Sequence, residues 1–164
     1  MKEKFVFCVF CEVSKEREVE EHLKQLGYTV ISALVERNIF RYKKFVKEFR
    51  SIIPGYVFFE SELEPKWEEV LRNIHIYYSL HYGDNDKKLK NEDLHFVQWL
   101  KGNKGRIKIS KAKRVGDKIK IVEGPLKELE GKIVKINKRQ KCAGVKIEGE
   151  GIKNIIWLSY EIME

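Results

Sequence analysis

The run Phe5-Val6-Phe7-Cys8-Val9-Phe10-Cys11 constrains this chain more than any other feature. Its β-branched and aromatic content favours a strand. Alternation puts Phe5, Phe7, Val9 and Cys11 on one face and Val6, Cys8 and Phe10 on the other. A strand apolar on both faces is normally covered on both, which calls for layers of structure above and below it. Seven residues also fall far short of the roughly 20 that cross a bilayer, and Met1-Lys2-Glu3-Lys4 leads into the run without a small-residue cleavage site. Neither a membrane helix nor a signal peptide is expected. Three cysteines form no disulfide framework, so a reducing, cytoplasmic location is expected.

Along the chain, Ser14 is placed to cap a helix in which Val19, Leu23 and Leu26 recur at helical spacing until Gly27. Residues 28–35 read as a second strand. Residues 36–50 fit two structures: Ile39, Tyr42, Val46 and Phe49 lie at helical spacing, while the β-rich content suits a long hairpin arm. Pro54-Gly55 punctuates the chain, and Tyr56-Val57-Phe58-Phe59 opens another strand with two apolar faces. Pro65 suits a helix start, with Trp67, Val70, Leu71 and Ile74 as the buried stripe. Tyr77 to Tyr82 reads as a fourth strand. Asn91 is placed to cap a helix carrying Leu94, Val97 and Leu100 and stopping at Gly102.

The fold class is therefore α+β. An antiparallel sheet with flanking helices is expected over 1–103, a Lys- and Gly-rich linker over 104–113, and a small all-β barrel over 114–164. The barrel follows from short alternating segments (Lys118–Glu123, Gly131–Asn137, Lys141–Glu148 and Ile152–Leu158) separated by turn residues. With few helices to cover two faces, the first sheet is expected to leave one apolar face for a partner.

Charge narrows the partner. Thirty-three Lys and Arg against 25 Asp and Glu give +8. Residues 111–164 carry +5 of it in about half the length of the rest. A basic balance favours polyanions. The arm 36–50 sets Arg37, Arg41, Lys43, Lys44, Lys47 and Arg50 among four aromatics, the pairing of phosphate contact and base stacking that single strands prefer. A solvated surface with its rings turned inward is the plain alternative. In the C-terminal region Lys132, Lys135, Lys138, Arg139, Lys141 and Lys146 crowd one hairpin, with Lys138-Arg139-Gln140-Lys141 at its tip. That fits salt-sensitive RNA binding, or else a solvated edge that resists strand pairing.

Other signals carry less. Cys8 and Cys11 point to opposite faces and no second pair completes a zinc site. His22, His75, His81 and His95 are scattered, and Glu16, Glu18, Glu20 and Glu21 read as a solvated helix face. No catalytic constellation is found, so neither an enzyme nor a metal or cofactor is expected.

Val115-Gly116-Asp117-Lys118-Ile119-Lys120-Ile121-Val122-Glu123-Gly124-Pro125 with Gly131-Lys132-Ile133-Val134-Lys135-Ile136 resembles a KOW motif. Gly131 stands where the second strand begins, and a close turn is expected there. Ile53-Pro54-Gly55-Tyr56-Val57-Phe58-Phe59 resembles the proline-glycine-tyrosine strand of the NusG N-terminal domain. With the order of elements, the similarity to the NusG family covers nearly all of the chain. The string from Gly124 to Arg139 looks most like LoaP-type antiterminators, although Gln140 and Cys142 stand among the expected basic residues.

The resemblance implies an elongation or antitermination factor that docks on the clamp helices of the largest RNA polymerase subunit. Phe10, Ile53, Pro54, Tyr56 and Phe58 match the positions of that contact; the plain alternative is that all five are ordinary core. The arm (Arg37, Arg41, Lys43, Lys44, Lys47) would lie near upstream or non-template DNA, and the KOW domain would bind an RNA hairpin. A monomer without a membrane partner is expected. A general NusG-type factor whose KOW domain recruits a termination factor or the ribosome, and a ribosome-associated KOW protein, are the rival readings.

Overall fold

Strand β1 (Phe5–Cys11) lies inside a sheet, and its two faces enter two different cores. The structure is a computed structural model that describes residues 3–83 and 85–163. β1 pairs antiparallel with β5 (Tyr56–Ser61) on one side, Cys8 opposite Phe58, and with β6 (Ile76–Ser79) on the other, Phe10 opposite Tyr78. β2 (Thr29–Ile31) adds to the far edge of β5, giving the order β2-β5-β1-β6.

The first core is formed by Phe7, Val9, Cys11, Val57 and Phe59 under α1 (Glu16–Gln25) and α2 (Trp67–Val70). Val19 and Leu23 of α1 are fully buried there, as the helical spacing predicts. Gly27 ends the helix at φ +93°, a conformation L side chains rarely adopt. Ser14 does not act as the cap; it takes φ +77°, and Lys15 holds the N-cap position with no side-chain hydrogen bond. α2 lasts one turn, so Trp67 and Val70 face the core but Leu71 and Ile74, expected in the same stripe, are exposed.

The second core begins with Val6, Cys8 and Phe58 and is covered by α3 (Asn91–Gly102), whose Phe96, Val97 and Leu100 pack on it. It continues without a break into Ile147, Ile152, Ile156, Leu158 and Tyr160 of the C-terminal region. The sheet face expected to stay open is thus largely covered, by α3 and by packing continuous with the C-terminal half.

The ambiguous segment is a hairpin. β3 (Leu34–Arg41) pairs antiparallel with β4 (Lys44–Ser51) through a turn in which Tyr42 and Lys43 both have positive φ, the geometry that matches strand twist in two-residue hairpins. β7 (Arg106–Ile107) joins β3 in parallel. The stretch expected as a linker therefore contains β7 and the start of β8 (Ser110–Val115).

A five-stranded sheet of order β10-β11-β12-β8-β9 follows, with β9 (Lys118–Glu123), β10 (Ile133–Asn137), β11 (Cys142–Glu148) and β12 (Lys153–Ile162). Within this sheet the β12–β8 pairing is parallel and the others are antiparallel. A short helix α4 (Pro125–Glu128) and a 3-10 turn (Glu130–Lys132) link β9 to β10. Gly131 has open space where a Cβ would stand, so it is not the crowded turn expected of it. The crowded position is Gly124, at φ +110°, where a Cβ would come within 2.6 Å of Ser110 Oγ.

Candidate binding surfaces

One carboxylate joins the two halves. Asp93, in the first turn of α3, is fully buried. It accepts hydrogen bonds from Tyr82 Oη at 2.7 Å and from the backbone N–H groups of Gly151 and Ile152, both at 2.9 Å. A buried carboxylate is tolerable because charge-assisted donors and the positive end of a helix surround it. The β11–β12 turn can approach because Gly149 and Gly151 lack side chains; a Cβ on Gly151 would meet Leu80 at 2.7 Å, and one on Gly149 would collide with Asp93. Burial, and then the bond to Asp93, push the Tyr82 phenol well above its ordinary pKa. No local sequence pattern singles out Asp93, because its partners lie far along the chain.

The residues matched to polymerase contact separate into two groups. Ile53 and Phe58 are fully buried, Phe58 with its ring edge-to-face against Phe96 at 6.1 Å. They form no open surface here, since both belong to the second core. Phe10 and Tyr56 are half-buried with ring centroids 4.8 Å apart, and Pro54 is exposed. Tyr78, which the sequence reading did not single out, lies 4.9 Å from Phe10 and is 56% exposed. Phe10, Tyr56 and Tyr78 make a small aromatic shelf side by side across β5, β1 and β6. Glu16 Oε2 accepts the Gly55 N–H at 2.8 Å and fixes the turn before it, so Glu16 is more than a solvated face. Burial raises the Tyr56 phenol, with Cys8 and Tyr78 adding to it.

The arm presents its rings outward. Phe40, Tyr42 and Phe45 are 62%, 93% and 71% exposed, and Phe40 packs on Phe45 at 5.1 Å. Arg41 pairs with Glu48, and Lys47 with Glu161 at 3.1 Å. Lys43 and Lys44 at the tip have no ion pair among the described residues. Arg37 lies near enough to Cys142 to oppose the burial that raises that thiol.

On the C-terminal sheet the six expected cations divide as well. Lys132 is held by Glu92 at 3.3 Å, an interaction that lowers the Glu92 carboxyl, and Lys146 by Glu148 at 2.9 Å. Lys135, Lys138, Arg139 and Lys141 have no carboxylate partner among the described residues.

All three cysteines are free and buried. Cys8 and Cys11 fall in opposite cores, as alternation requires, and burial raises both thiols, Cys11 to about 11. Among the described residues no group of three or more His, Cys, Asp or Glu could hold a metal, and no helix is long and apolar enough to cross a membrane.

The two features that stand out on the surface are the aromatic shelf and the cations that have no carboxylate partner among the described residues. The family model described as "Transcription termination factor nusG" matches residues 6–97, more than half of the chain, and the chain belongs to the NusG family of transcription factors. Members of this family bind RNA polymerase and are not enzymes. A solved structure described as "Domain interaction in Thermotoga maritima NusG" is similar, with a TM-score of 0.53 over 96% of this chain and 94% of that one. At 17% identity, that likeness speaks for the fold alone. No curated protein matches the chain.

Proposed function

We propose that the protein is a processive antitermination and elongation factor of the LoaP type. In this reading residues 1–103 form a NusG N-terminal-like domain that docks on the polymerase clamp helices. Residues 104–113 connect it to a KOW domain, 114–164, that binds an RNA hairpin. The observation that carries the reading is the β10–β11 turn, where Lys138, Arg139 and Lys141 have no carboxylate partner among the described residues. Cations left unneutralised on a small sheet favour a phosphate backbone, read largely by shape when the RNA is helical. The shelf of Phe10, Tyr56 and Tyr78 supports the polymerase contact, since an exposed aromatic cluster favours a protein partner. The arm, with Lys43 and Lys44 beside exposed rings, suits non-template or upstream DNA. Two modest contacts on one chain raise effective concentration without either being tight.

The test is capture of RNA polymerase by the tagged full chain against its Tyr56→Ala variant. The reading predicts loss of capture by a variant that stays folded, because Tyr56 is only half-buried at the start of β5. Equal capture by both would remove the shelf from the account.

A further inference from the structure

The two turns at one end of the C-terminal sheet meet. Gly116–Asp117 joins β8 to β9, with Val115 opposite Lys118, and residues 138–141 join β10 to β11, with Asn137 opposite Cys142. Lys138 Nζ donates to the Asp117 carbonyl oxygen at 2.5 Å, which ties the turns together. Between them lies a cleft of about 210 Å³ lined by Arg114, Lys118, Lys138 and Lys141 over Tyr160 and Ile119.

Arg114, Lys118, Lys138 and Lys141 all lack a carboxylate partner among the described residues, and Asp117 is the cleft's single acidic lining residue. Four like charges around one hollow repel each other, and an anion relieves that repulsion. The volume is below the roughly 300–1,000 Å³ of sites that engulf a small molecule, so it suits a phosphate group rather than a whole nucleoside. Arg114 adds a planar fork of donors that matches two phosphate oxygens at once.

We propose that this cleft is a phosphodiester site, in which a nucleic-acid strand seats a backbone phosphate among Arg114, Lys118, Lys138 and Lys141. The proposal rests on the nucleic-acid reading of the C-terminal sheet and deepens it. Arg114 and Lys118, from a hairpin other than β10–β11, become contacts. Lys132 and Lys146, held by Glu92 and Glu148, do not.

The experiment is fluorescence anisotropy of the full chain with labelled RNA and DNA oligonucleotides of one sequence, across a salt series. The variant Arg114→Gln/Lys118→Gln is expected to lose about tenfold in affinity and to flatten the log–log salt slope by roughly one unit. Because both side chains are exposed, its melting temperature should match the parent's. Asp117→Asn should bind about twofold more tightly, and Lys132→Gln/Lys146→Gln should stay within about twofold of the parent. Losses of similar size on RNA and DNA support a phosphate contact, whereas a loss confined to one of them contradicts it. Parent-like affinity and slope for Arg114→Gln/Lys118→Gln, with binding lost in Lys135→Gln/Arg139→Gln, would overturn the cleft and leave the RNA reading standing. A parent protein with no salt-sensitive binding to either strand would overturn both.

Discussion

The central sheet and the β3–β4 arm are built from similar residues and end in opposite situations. Phe7, Phe58 and Phe59 in the sheet are fully buried, while Phe40, Tyr42 and Phe45 in the arm stand mostly in solvent. Aromatic content does not decide between them; interruption by charge does. From Phe5 to Cys11 no ionisable side chain other than a thiol breaks the run, so both faces can be covered. From Glu36 to Arg50 a Lys, Arg or Glu recurs at most every few residues, and covering both faces would bury charge at several kcal/mol each. The arm therefore stays a two-stranded ribbon past its root, and its rings remain available to a ligand.

The comparison breaks most severely where the second core is joined. Asp93→Ala should cost about 3 kcal/mol or more, since three donors lose their acceptor in a buried site; chemical denaturation followed by tryptophan fluorescence measures it. A cost under about 1 kcal/mol would mean that the two halves do not depend on this carboxylate. A smaller effect sharpens the other side. Phe40→Ser/Phe45→Ser should leave stability within about 0.5 kcal/mol, because both rings are exposed. It should weaken single-stranded DNA binding by roughly 1–3 kcal/mol for each stacked base, read by anisotropy. Loss of stability with unchanged binding would return the rings to a packing role.

Much of the fold was legible because it follows from short-range pattern. The bounds of β1 and β9, the helical spacing of Val19 and Leu23, and the opposite facing of Cys8 and Cys11 all come from alternation or the helical period. Hairpin and helix could not be told apart over 36–50 because the positive φ at Tyr42 and Lys43 uses residues that do not advertise it. The covered face was missed for a different reason: its cover lies in α3 and in packing shared with strands 50 or more residues away. Of the binding surfaces, charge located the cations, but pairing decided which are free. Glu92 on Lys132, and the convergence of Arg114 with Lys138, are long-range facts that spacing cannot carry.

The claim beneath the rest is that the sheet face carrying Val6, Cys8 and Phe58 shares one core with the C-terminal half, leaving cationic turns and a narrow shelf for partners. Amide hydrogen exchange at Gly151 and Ile152, whose N–H groups bond Asp93, tests it most directly. The account predicts protection equal to that of the β1 amides, since only global opening would free them. Exchange as fast as that of an open surface turn would contradict it.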